Sequence, residues 1–289
     1  HFVSQITEIA ENGEILWQYE APGPVHHDFE ISDDDHIHFF YRKSMPDNVK
    51  IDNGCKNTEI LSEGYLEVDR QKVKHHEILF HEYFLDQLNK DKCTEQRRER
   101  MKNSNYDHRL DWIHPNSLNI LKANKWSKKG FEEFKPGNIL FCAHHFNKIF
   151  IIDKNLNKVV WEYQDTNLAL EGPHEAKMIP EGFPGAGNVL IFDNGNIRKY
   201  SRIIEVNPIT KEIVWQYSDP NNFYSNHSGS HQRLKNGDTF ISQDGTGRSF
   251  IVNKKGKIIW QFKALNIKST TRRSKLYLKK DFAHCLSES

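Results

Sequence analysis

A short aromatic-rich segment recurs along this chain, and a repeat of that kind restricts the fold more than any other feature. Glu14-Ile15-Leu16-Trp17-Gln18-Tyr19 returns as Lys158-Val159-Val160-Trp161-Glu162-Tyr163. It returns again as Glu212-Ile213-Val214-Trp215-Gln216-Tyr217 and as Lys257-Ile258-Ile259-Trp260-Gln261-Phe262. A weaker copy, Glu77-Ile78-Leu79-Phe80-His81-Glu82-Tyr83, carries Phe80 in the Trp place. β-Branched and aromatic runs of this length favour strand over helix. An upstream strand and a polar turn precede each strong copy, as in Ile203-Ile204-Glu205-Val206 before Asn207-Pro208-Ile209-Thr210, which is a hairpin signal. A second pair of strands fits beside most hairpins. Gly187-Asn188-Val189-Leu190-Ile191-Phe192 follows Glu175-Ala176-Lys177-Met178-Ile179.

The unit is therefore two hairpins, or four strands. Trp161, Trp215 and Trp260 are spaced by 54 and 45 residues, and four strands at a period of roughly 40–45 residues is the propeller pattern. The expected fold is an all-β, six-bladed β-propeller. Five outer hairpins are visible, so the N-terminal blade is expected to be incomplete. Residues 1–289 form one propeller domain in this reading, with a helical or irregular insertion at 84–110. That insertion holds the basic run Gln96-Arg97-Arg98-Glu99-Arg100-Met101-Lys102, read as a solvated excursion. The tail Ser269–Ser289 is a candidate ring-closing strand.

Composition narrows the partners. The net charge is +1, with 27% charged and 37% hydrophobic residues, which gives no reason to expect nucleic acid or a membrane surface as partner. No apolar run is long enough for a membrane span. The first residues, His1-Phe2-Val3-Ser4, lack a Met and a signal-type run, so the sequence reads as processed or as a piece of a longer chain. Cysteines 55, 93, 142 and 285 form no CxxC pair and no zinc spacing. Disulfides and free thiols both stay open.

Sixteen histidines remain to be placed. Counting back four residues from an apolar residue in the first strand of each repeat reaches His27 (from Ile31), His114 (from Leu118), His174 (from Met178) and Ser230 (from Leu234), with His231 beside it. In a propeller the first strand of each blade lines the central channel. Equivalent positions then become neighbours around one axis, in a concave place suited to a ligand. One aligned histidine would read as structural; three in register read as a site. A metal is the rival reading of such a cluster. No acidic partner recurs in register, so neither metal nor other cofactor is expected.

These residues also carry a family resemblance. The stretch from Gly172-Pro173-His174-Glu175-Ala176 through Asn188-Val189-Leu190-Ile191-Phe192-Asp193-Asn194-Gly195 resembles the bacterial aryl-sulfate sulfotransferase family. So do Tyr200-Ser201-Arg202-Ile203-Ile204-Glu205, His26-His27-Asp28-Phe29-Glu30 and Asp111-Trp112-Ile113-His114-Pro115-Asn116-Ser117. The resemblance covers most of the chain outside 43–110 and the tail. It implies a propeller enzyme that moves a sulfuryl group from a phenolic sulfate donor to a phenol acceptor. No sulfonucleotide and no metal is used, and a covalent sulfohistidine is the intermediate. By matching positions it implies His174 as nucleophile, His114 and Asn116 as holders of the sulfuryl oxygens, His27 as an acid/base, and Ser230 where a hydroxyl residue is expected. Arg202 is a candidate for fixed positive charge. His144 stands where the family commonly has Arg; a neutral imidazole stabilises an anion less well than a guanidinium fork. A periplasmic or secreted location is implied by the resemblance alone. The alternative from another class is a non-catalytic propeller used as a binding scaffold, because fold alone decides neither.

Overall fold

The computed structural model describes residues 4–47, 49, 60–90, 110–264 and 273–277. These residues form two compact units, 1–164 and 165–289. In the first unit, β1 (Gln5–Ile9) and β2 (Ile15–Glu20) make a two-stranded sheet. Next come β3 (Val25–Ile31), β4 (Ile37–Ser44), β5 (Ile60–Val68) and β6 (Lys74–Leu79), joined by the short β7 (Leu110–Asp111), which runs parallel to β5. A third sheet holds β8 (Pro115–Ile120), β9 (Ile139–Ala143), β10 (Lys148–Asp153) and β11 (Lys158–Tyr163). The second unit has two more: β12 (Glu175–Met178), β13 (Val189–Asp193), β14 (Arg202–Val206) and β15 (Ile213–Ser218), then β16 (Ser230–Arg233), β17 (Thr239–Gln243), β18 (Arg248–Val252) and β19 (Ile258–Lys263). Along β3–β6 and in the other four-stranded sheets, neighbours in sequence pair antiparallel.

Burial explains this order. The second strands β9, β13 and β17 are buried throughout, as are the first six residues of β4. Such strands read as continuous apolar runs because both faces meet core. The fourth strands are half-wet, with Ile15, Leu16, Val214, Ile259 and Trp260 exposed. In the first unit Phe40, Phe80, Phe84, Phe141 and Phe150 stack into one aromatic core. In the second, Phe192, Tyr217, Phe223 and Phe250 do the same.

Every outer hairpin carries a bulge at the same place, between Glu8/Ile9, Glu67/Val68, Ile151/Ile152, Glu205/Val206 and Ile251/Val252. The bulge skips one residue, so Trp17, Trp161, Trp215 and Trp260 all fall in the next pair. In β6 that pair is Glu67↔His76. The Trp place of the weak copy is therefore His76, and Phe80 lies beyond the strand as a core anchor. Helix α1 (His81–Lys90) follows at once. It opens the expected insertion three residues early, because Phe80 and Phe84 bind its first turn to the core. Residues 91–109, with the basic run, lie outside the described residues. So do residues 265–272 and 278–289 of the tail region. Tail residues 273–277 run beside β16, where Leu276 and Gln232 exchange hydrogen bonds of 3.0 and 3.2 Å.

Gly229, just before β16, tests this packing. Its φ is +138°, and an added Cβ would lie 2.4 Å from Phe192 Cζ. We expect Gly229→Ala to lower stability by about 1–3 kcal/mol, from the overpacking of a core ring. Equilibrium denaturant unfolding against the parent chain measures it.

Candidate functional site

The ladder hydrogen bonds fix which first-strand residues are equivalent. Ile31 pairs with Ile37, Ile120 with Ile139, Met178 with Val189 and Arg233 with Thr239. Four residues before these stand His27, Asn116, His174 and Gly229. By count of residues His114 lies two upstream of the His27 and His174 position and Ser230 one downstream. By count of pairs His27 falls inside the β3 bulge, between His26↔Phe40 and Phe29↔Phe39, so its place in the ladder is not that of His174, which lies next to Glu175↔Phe192. The four-residue count from Leu118 went astray because Leu118 and Ile120 are both buried and either serves as an apolar landmark.

The first unit nonetheless gathers the expected imidazoles. The rings of His27 and His114 are 4.3 Å apart, centroid to centroid, across β3 and β8. His144 lies 5.4 Å from His114. Two residues missed from the sequence complete the group: His26, 4.9 Å from His27, and His145, 4.9 Å from His114. The doublets His26-His27 and His144-His145 were the available signal. β3 bulges between His26 and Phe29, and β8 between Pro115 and Leu118. The backbone is left-handed at His27 (φ 62°) and His114 (φ 52°). Non-glycine residues seldom adopt this conformation, which costs of order 1–3 kcal/mol and clusters at functional sites.

Behind the imidazoles sits a buried ionic network. Asp111 Oδ2 accepts from His114 Nδ1 at 2.6 Å and from Arg42 Nη2 at 2.7 Å. The backbone carbonyl of Asp111 accepts from His145 Nδ1 at 2.6 Å. Burial would raise Asp111, but His114, His145 and Arg42 outweigh it and hold the carboxyl well below its usual range. Glu63 Oε2 accepts from the His114 backbone N–H at 3.1 Å. Burial first, then the charge of Asp111, pushes the Glu63 carboxyl well above its usual range. Burial, reinforced by Arg42, lowers His26 well below the ordinary imidazole value and keeps it neutral.

Among the described residues, Asp111, His114 and His145 are the group whose ligand-type atoms lie within 4.8 Å of one another. Asp111 Oδ2 is shared by Arg42 and His114, and the arrangement is a hydrogen-bonded ion cluster.

In the second unit His174 precedes β12, and its backbone N–H donates to Phe192 O at 3.0 Å. Its Nδ1 faces Asn194 Oδ1 at 2.8 Å and Gly172 O at 3.1 Å. Asn194 in turn donates to Ser225 O at 2.7 Å and Ser228 O at 2.8 Å. The sequence suggested a turn at Asn194-Gly195; only the fold aims that amide at the imidazole. Arg202 is buried and held by Asp193 (2.8 Å) and Asp165 (3.0 Å). Ser230 is also buried, and its Oγ donates to Ser274 O at 3.1 Å. Asn116 lies wholly inside β8. An acid follows His27 and another follows His174, and each stitches one first strand to the next. Asp28 Oδ2 accepts from Leu118 N at 2.9 Å, and Glu175 Oε2 from His231 N at 2.6 Å. Cys142 is buried in β9. No helix among the described residues is long and apolar enough to cross a membrane.

Asp111 yields a pH test. Its folded-state value lies below the unfolded value near ~3.9, so its ionisation stabilises the fold above about pH 5, and that contribution is lost as pH falls through the carboxylate range. Asp111→Asn should cost about 3–5 kcal/mol at pH 7 by leaving Arg42 without a counter-charge. The gap to the parent chain should narrow towards pH 3 in urea unfolding.

Residues 4–265 match the profile of a family described as arylsulfotransferase (ASST). No curated protein matches the chain. Among solved structures, the Dos1 propeller is 11% identical over 92% of this chain and 55% of its own, with a TM-score of 0.51. A streptogramin B lyase is 12% identical over 90% of this chain and 62% of its own, at 0.49. An inactive virginiamycin B lyase from Staphylococcus aureus is 13% identical over 91% and 64%, at 0.47. At such identities a likeness speaks for fold alone, and the first establishes the β-propeller class. The chain spans 55–64% of the length of these structures.

Proposed function

The chain belongs to the arylsulfotransferase (ASST) family, and from that premise we propose that it moves a sulfuryl group from a phenolic sulfate ester to a phenol, with His174 as the covalent carrier. One observation supports this reading above the others. His174 Nδ1 faces two oxygens that can only accept, Asn194 Oδ1 and Gly172 O. Nδ1 is therefore the N–H nitrogen, and Nε2 holds the lone pair. A neutral imidazole with that tautomer is a competent nucleophile near pH 7.

In the first half-reaction His174 Nε2 attacks sulfur, the S–O ester bond breaks, and the phenolate leaves with the electron pair. The phenolate takes a proton from a general acid, and the first unit holds histidines with the chemistry for acid/base work. His114 suits proton transfer, because Asp111 behind its Nδ1 stabilises the imidazolium that forms. His27 and His144, beside it, are N–H donors of the kind that hold an anion's oxygens. Asn116 lies in the β8 bulge, two residues on from His114. Arg202 stays out of the chemistry, since its charge is taken by two buried carboxylates. Ser230 is given a packing role against Ser274. In the second half-reaction the acceptor phenol gives up its proton to the base that protonated the first phenolate and attacks sulfur, and the N–S pair returns to Nε2.

The test is release of nitrophenol from nitrophenyl sulfate with and without phenol. The parent chain should show acceptor-dependent release, and His174→Ala should lose at least about a thousandfold in rate. Intact-mass spectrometry without acceptor should show one added sulfuryl group, absent in His174→Ala. A folded chain that releases no phenol from several aryl sulfates would instead favour a binding scaffold.

A further inference from the structure

We propose that Asn194 is a positioning residue that decides which nitrogen of His174 accepts the sulfuryl group and keeps the resulting sulfohistidine labile; this rests on the reading above. Asn194 follows β13 and is fully buried. Its amide cannot be turned over. Nδ2 donates to the carbonyls of Ser225 and Ser228 at 2.7 and 2.8 Å, and a flip would set Oδ1 against two acceptors. The loop that supplies those carbonyls is itself fixed. Ser201 Oγ donates to Asn194 O at 2.8 Å and accepts from Ser225 N at 2.9 Å, closing a ring of hydrogen bonds. Gly229, with its positive φ, ends the loop against the Phe192 ring. Asn194 Oδ1 is thereby held toward His174 Nδ1, which stays protonated in every state of the ring. The hydrogen bond made by one ring nitrogen fixes the chemistry of the other.

The second consequence concerns the intermediate. Once Nε2 carries the sulfuryl group, the ring is an N-sulfonated imidazolium that retains its Nδ1–H. Attack by the acceptor phenolate then breaks the N–S bond and expels neutral imidazole, with the electron pair returning to Nε2. A carboxylate at position 194 could take the Nδ1 proton. The ring would then be a neutral sulfoimidazole, and N–S cleavage would have to expel an imidazolate, a far poorer leaving group. An amide oxygen takes no proton near neutral pH. The family of contacts at His114 shows the contrast, since there a carboxylate, Asp111, faces Nδ1.

The experiment uses the full chain labelled with ¹⁵N-histidine. Two-bond ¹H–¹⁵N correlation NMR should find His174 in the Nδ1–H tautomer in the unaltered protein, a measurement that needs neither a variant nor turnover. In Asn194→Asp, His174 should take its second proton at higher pH. The sulfated intermediate, followed by intact mass after removal of donor, should survive about tenfold longer in the presence of acceptor, with kcat lowered more than KM raised. A proton on Nε2 in the unaltered protein overturns the positioning role. An unchanged intermediate lifetime in Asn194→Asp overturns the lability argument. If the tautomer is as expected but no aryl sulfate ever labels the unaltered protein, the sulfuryl-transfer reading falls while the positioning of His174 by Asn194 stands.

Discussion

Each four-stranded sheet hangs on a second strand buried on both faces, and the position of everything polar follows from it. β9, β13 and β17 expose almost nothing, so their backbone groups must find partners on both sides. The first strand takes one edge and the third strand the other. A slip of one residue would turn every core side chain to the wrong face, so the register is fixed. The start of the first strand is thereby pinned as well, and that is where His27, Asn116, His174 and Gly229 fall.

Fixed register alone would give a regular ladder, and a regular ladder would not cluster imidazoles. Bulges in β3 and β8, with left-handed backbone at His27 and His114, turn two side chains from neighbouring first strands toward one another. The strained segments are held by two acidic side chains, Asp28 on the Leu118 amide and Glu63 on the His114 amide. In the second unit Glu175 does the same for His231 without a left-handed histidine. Repetition of this contact marks it as part of the architecture, while among the described residues the histidines with left-handed backbone are the two in this cluster.

Two histidines are held in two chemically different ways. His114 rests on a carboxylate that Arg42 and its neighbours keep ionised in spite of burial. His174 rests on an amide that cannot change its charge. A carboxylate partner favours an imidazole that picks up and returns a proton. An amide partner favours one that attacks as a neutral base and leaves as one. The proposed division between proton transfer and sulfuryl carriage follows from that difference in the atom facing Nδ1.

The sequence by itself determined the class of fold and the identity of most polar residues at issue. Repeated β-branched and aromatic hairpins can bury their faces only by stacking as sheets, and the Trp-bearing strands occur where the repeat put them. His27 and His174 were legible only as residues four before an apolar landmark, Ile31 or Met178, since the β3 bulge takes His27 out of the ladder position that His174 holds. His114, Phe80 and Arg202 show where reading stopped. A single bulge or a choice between two alternately buried apolar residues shifts an alignment by one or two positions, and nothing in the residue string records it. Whether a buried arginine serves a substrate or two carboxylates depends on Asp165 and Asp193 closing around Arg202 in space. The partners of Nδ1 on His114 and His174 were likewise decided only by tertiary structure, since hydrogen-bond direction is set by how side chains face one another in space, which sequence spacing does not encode.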